Sequence, residues 1–109
     1  MKQSEIRFTI TLDEEKMPVK IDWHASDAHK ESSARAIMIS LWDEQQDNSL
    51  RIDLWTREMR VDQMKQFCHQ NLVAMAETLE RATSDKEAAR AIRLFAEDFG
   101  ERLKLLKKN

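Results

Sequence analysis

The hydrophobic pattern of this chain changes its period once, near residue 61, and that change separates what can be strand from what can be helix. From Glu5 to Asp13, Ile6, Phe8, Ile10 and Leu12 alternate with Arg7, Thr9 and Thr11. This is the period of two expected of a half-buried strand. The charged run Asp13-Glu14-Glu15-Lys16 turns the chain. Met17, Val19, Ile21 and Trp23 then alternate with Lys20 and Asp22, which predicts a second strand over about 17–23. Pro18 has no N–H for a ladder, so that strand should lie at an edge or be unpaired at its start. His24 to Ala34 is polar and unpatterned and reads as a loop. A third strand is expected over 35–42, a polar hairpin loop over 43–49 and a fourth strand over 50–56. Strict alternation keeps Ile37, Ile39 and Leu41 on one face with Leu50, Ile52 and Leu54. Met38, Trp42, Arg51, Asp53 and Trp55 are left together on the other.

From Val61 the apolar spacing becomes three and four. Val61, Met64, Cys68, Leu72, Met75, Leu79 and Ala82 form one stripe of a helix over about 61–82. At 1.5 Å per residue such a helix is roughly 33 Å long, enough to cross a four-stranded sheet. Thr83-Ser84-Asp85 breaks the pattern, and Ser84 with Glu87 has the spacing of a capping box. A second helix over about 85–106 follows, with Ala88, Ile92, Phe95, Phe99, Leu103 and Leu106 as its stripe. Gly100 weakens it by about 1 kcal/mol relative to alanine. Four strands followed by two helices predict an α+β fold: a four-stranded antiparallel meander with both helices packed on one face.

With 109 residues, the chain is expected to form a single domain. Its 41% hydrophobic and 35% charged residues suit a soluble globule, and a net charge of −2 gives no electrostatic reason to expect nucleic acid as a partner. A lone cysteine, Cys68, fits a reducing compartment. The N-terminal residues lack the apolar run of a secretory signal, and no stretch approaches the length of a membrane span. Cytoplasmic location without membrane insertion is therefore expected. One glycine and one proline leave no glycine-rich phosphate loop.

No catalytic, metal or cofactor constellation emerges. His24 and His29 accompany Asp27 in the expected loop and His69 lies on the first helix, too scattered for three or four converging ligands. Cys68 sits on an apolar stripe, where cysteine behaves as a small hydrophobe. Asp13, Glu14 and Glu15 read as a solvated turn. The informative set is Met38, Trp42, Arg51 and Trp55, residue types enriched at protein interfaces and gathered on the sheet face away from the aliphatic rows. They are the candidate partner-binding residues.

The block Leu41-Trp42-Asp43, Leu50-Arg51-Ile52-Asp53-Leu54-Trp55-Thr56, Met59 and Val61-Asp62-Gln63-Met64-Lys65-Gln66-Phe67 resembles the gliding motility-associated GldC family of Bacteroidetes. Ser4-Glu5-Ile6, Phe8-Thr9, Leu12-Asp13-Glu14, Ile21, Trp23 and Asp27 are similar to it as well. The resemblance spans about residues 4–80. It implies a small cytoplasmic accessory protein, neither an enzyme nor a cofactor carrier. Such a protein would act as a protein-binding or scaffolding module, a homodimer being one such assembly. The alternative is a small-ligand-binding domain with a cleft near the 24–34 loop and His24, Asp27 and His29 as its polar groups.

Overall fold

The computed structural model describes residues 1–27 and 29–105. The switch of period is also where the chain divides into two compact units, residues 1–60 and 61–109.

The first unit carries five strands: β1 (Ile6–Leu12), β2 (Pro18–Ala25), β3 (Lys30–Ala34), β4 (Ala36–Asp43) and β5 (Asn48–Trp55). They form two antiparallel sheets, a three-stranded β1-β2-β3 and a two-stranded β4-β5, in place of the expected single four-stranded sheet. The reason lies in the phase of the side chains. On β3, Ala34 and Ser32 pair with Ile21 and Trp23 of β2 and share their face. Continued straight, that face would carry Ala36, Met38 and Trp42 into β4, opposite to the aliphatic row Ile37, Ile39 and Leu41. A one-residue change of phase moves every side chain to the other face, and the chain makes it at a bend on Arg35. The ladder between β4 and β5 nevertheless continues past the bend, with the Thr56 N–H donating to the Arg35 carbonyl at 2.8 Å.

β3 replaces part of the expected loop. Lys30-Glu31-Ser32-Ser33-Ala34 has no apolar alternation, yet its small residues lie beside the bulky Ile21 and Trp23, and the Ser33 hydroxyl donates to Asp22 at 2.9 Å. β2 is consequently the central strand. Pro18 stands at its first residue, facing Leu12 past a register shift and beyond the reach of β3, so its missing N–H interrupts no ladder there.

The β1–β2 turn is built on Asp13. Its carboxylate accepts the N–H groups of Glu15 (2.9 Å) and Met17 (3.0 Å), while Lys16 takes the left-handed conformation at φ 65°. Arg57, just after β5, clasps this turn with a 3.0 Å ion pair to Asp13. Ser4 donates to Asp27 at 2.5 Å and Glu5 N–H to Ser26 Oγ at 3.0 Å, fastening the start of β1 to the β2–β3 turn. Asp13, Ser4, Glu5 and Asp27 therefore hold turns together.

The second unit is a helical hairpin, α1 (Val61–Thr83) and α2 (Lys86–Arg102). Its buried positions are Ala76, Ala89, Ala96 and Gly100. Of the expected stripes, Met64, Cys68, Leu72, Leu79, Ala88, Ile92, Phe99 and Leu103 are half-buried, while Val61, Met75, Ala82 and Phe95 are exposed. Small residues let two helix backbones approach, and the His69 ring reaches the Ala96 carbonyl at 2.9 Å. Gly100 is thus a buried helical position. Ser84 does not cap α2. It ends α1 at φ 61°, its N–H donating to Glu80 O at 2.8 Å, and Asp85 caps α2 by accepting the Ala88 N–H at 3.0 Å. α2 stops at Arg102 in a Schellman motif. Lys104 is left-handed there, with Leu105 N–H donating to Gly100 O and Lys104 N–H to Glu101 O. The remainder of the expected stripe, at Leu106, lies outside the described residues.

Candidate functional site

The β4–β5 ribbon brings the four candidate residues onto one face. The pairs Ala36–Trp55, Met38–Asp53, Ser40–Arg51 and Trp42–Ser49 lie directly opposite each other, and Ile37–Leu54, Ile39–Ile52 and Leu41–Leu50 occupy the reverse face. The hairpin that sets this register turns through Asp47 at φ 48°, a conformation aspartate tolerates better than most residues.

Trp42 and Trp55 are 66% and 57% exposed. They stand at opposite ends of the ribbon, six positions apart along β4, or roughly 20 Å at the rise of a strand. Between them Arg51 and Asp53 form a two-pronged fork along one strand, Nε to Oδ2 at 3.2 Å and Nη2 to Oδ1 at 2.9 Å. The face is therefore two separated indoles with a mutually neutralising ion pair and the half-buried Met38 between them. The reverse face is buried at Ile37 and opens toward the hairpin tip, where Leu41, Leu50 and Ile52 are each more than half exposed.

The polar groups of the ligand-site alternative separate. A cleft of about 550 Å³ lies over the polar side of β1-β2-β3, lined by Arg7, Lys20, Asp22, His24, Glu31 and Ser33 among others. His24 lines it, and neither Asp27 nor His29 does. The His24 ring is 3.9 Å from Glu31. Among the described residues no three His, Cys, Asp or Glu side chains group as a metal would require, and no helix is long and apolar enough to cross a membrane. Cys68 is half-buried. Asp13 has its carboxyl held below the usual carboxylate range, chiefly by the Met17 N–H and further by Glu15 N–H and Arg57. That shift marks a turn anchor.

Two residues of the site region escaped the sequence pattern. Arg57 gave no signal, because its partner Asp13 is 44 positions away. Thr56 ends the aromatic block and is 4% exposed, its Oγ1 buried without a hydrogen-bond partner among the described residues. A polar residue closing an alternating strand carries no local mark of such burial.

These features define a small α+β protein whose distinctive surface is a tryptophan-bearing two-stranded ribbon. The chain belongs to the GldC-like family, described as gliding motility-associated protein GldC-like, whose model matches residues 18–105. The match takes in β2 through α2, including the second helix, for which the sequence offered no motif. No curated protein and no solved structure matches the chain.

Proposed function

We propose that the chain is a non-enzymatic cytoplasmic accessory protein of the gliding-motility type, acting as a protein-binding or scaffolding module through Met38, Trp42, Arg51 and Trp55. The observation that carries this is the exposure of two indoles on one sheet face whose intervening charges neutralise each other. Tryptophan and arginine dominate interface hot spots, and an arginine already paired loses less on desolvation than an unpaired one. The test is capture from native cytoplasm by wild type against a Trp42→Ala, Trp55→Ala double variant whose fold is verified. Loss of a specific protein from the variant supports the reading; an identical captured set refutes it.

The cleft beside His24 favours a second reading, a small-ligand site. It combines the cations Arg7 and Lys20 with Asp22, Glu31 and the Ser33 hydroxyl. A metabolite that shifts the His24 ring resonances, and fails to do so after Lys20→Ala, would favour this reading over the first.

A further inference from the structure

β5 has a partner strand on one side only, and among the described residues no strand lies along its other edge. Because the ladder runs without a bulge to the Thr56 N–H on the Arg35 carbonyl, the even-numbered residues of β5 turn their main-chain groups toward β4. Ser49, Arg51, Asp53 and Trp55 turn theirs outward. An exposed row of this kind is a template for another strand. A two-stranded ribbon is also marginal by itself, and this one leaves Leu50 54% and Ile52 51% exposed.

The sequence along that edge is self-complementary. About a two-fold axis at Ile52, an antiparallel copy places Leu50 opposite Leu54, Arg51 opposite Asp53 and Ile52 opposite itself. Ser49 then falls opposite Trp55. We infer that a second copy of this chain pairs with β5 in this register, joining two ribbons into a four-stranded antiparallel sheet. The outward groups of Ser49, Arg51, Asp53 and Trp55 supply about eight main-chain hydrogen bonds in the alternating pattern such a ladder needs. Ile52 then meets its copy at a non-hydrogen-bonded position, where side chains come closest. Each Arg51 guanidinium lies between the Asp53 of its own strand, already bonded to it, and the Asp53 opposite. The charges form a square of alternating sign. An isologous contact of this kind is closed by its own symmetry. It puts the tryptophans of both copies on one continuous face, and it holds whether or not that face takes a further protein.

Two other in-strand pairs share the spacing and fail. Glu5–Arg7 straddles the first residue of β1, so a two-fold there would pair only a stub, and Lys20–Asp22 sits on the central strand β2. The free edge of β4 carries no charge before Asp43.

Sedimentation equilibrium of the full chain tests the inference. Wild type should sediment at twice the chain mass. Arg51→Asp and Asp53→Arg each set like charges opposite one another and should weaken the dimer by on the order of tenfold or more. The double variant R51D/D53R restores opposite charges and should dimerise again. An equimolar mixture of the two single variants should form a one-to-one heterodimer, because both carboxylates of the first variant then face guanidinium groups of the second. A role confined to the fork within one strand predicts no such recovery on mixing. In a Cys68→Ser background, Ile52→Cys should oxidise to a covalent dimer and Ile39→Cys should not. Single-chain mass for wild type at about 100 µM overturns the inference, as does a dimer indifferent to both charge reversals.

Discussion

Replacing Thr56 by valine should make this protein more stable. Thr56 is 4% exposed and its hydroxyl has no hydrogen-bond partner among the described residues, while its N–H donates to Arg35 O at 2.8 Å. Valine keeps the shape, the β-branched backbone preference and the N–H, and removes only the buried oxygen. An unsatisfied buried polar group costs about 1–3 kcal/mol, so a gain of about 1–2 kcal/mol is expected. All three tryptophans, Trp23, Trp42 and Trp55, lie in the strand unit. Tryptophan fluorescence in a urea titration therefore reports that unit while circular dichroism at 222 nm follows the helices. With a slope of about 1–3 kcal/mol/M, the fluorescence midpoint should rise by roughly 0.3–2 M. Thr56→Ser, which keeps the oxygen and opens a methyl-sized gap, should fall below wild type by about 1 kcal/mol. The reasoning is refuted if valine lowers the midpoint at unchanged slope, because the hydroxyl would then be serving a partner.

Ile21 is fully buried between Ile10 and Ala34, so Ile21→Ala should cost about 2–5 kcal/mol in the same fluorescence titration. Leu54, half-buried opposite Ile37, should lose about 2 kcal/mol as alanine. Asp53→Ala, on the exposed face, should lose under about 1 kcal/mol in single-chain stability; equal losses at the two positions would mean the register is wrong. The folded-state pKa of Asp13 is depressed, so its contribution is present above the ordinary carboxylate range, near 3.8, and fades as pH falls through the folded value. Asp13→Asn should lower stability at neutral pH and flatten the decline below about pH 4, measured as urea midpoint against pH. Asp85→Ala removes the α2 cap and should cost about 1 kcal/mol, read from the urea midpoint at 222 nm.

Wherever a local periodicity carried the information, the sequence sufficed. Alternation placed four of the five strands, and the facing of Ile37, Ile39 and Leu41 with Leu54, Ile52 and Leu50 follows from parity once the hairpin is recognised. The same parity put Met38, Trp42, Arg51 and Trp55 on one face, and the change to a spacing of three and four located both helices.

Only the tertiary structure decided what lies beside each element. β3 is a strand because β2 offers it a ladder, a fact absent from Lys30-Glu31-Ser32-Ser33-Ala34 itself. The split into two sheets required the side-chain phase of β2 and β4 to be compared across the bend at Arg35. In the helical hairpin the large apolar residues marked a stripe, yet the buried seam runs through Ala76, Ala89, Ala96 and Gly100, since helix pairs can close on small side chains as well as large ones. Neither the burial of the Thr56 hydroxyl nor the clasp of Arg57 on Asp13 could be read from neighbours along the chain. Periodicity records which side of a strand or helix is apolar; it holds no record of the atoms that side will meet, because those come from residues tens of positions away.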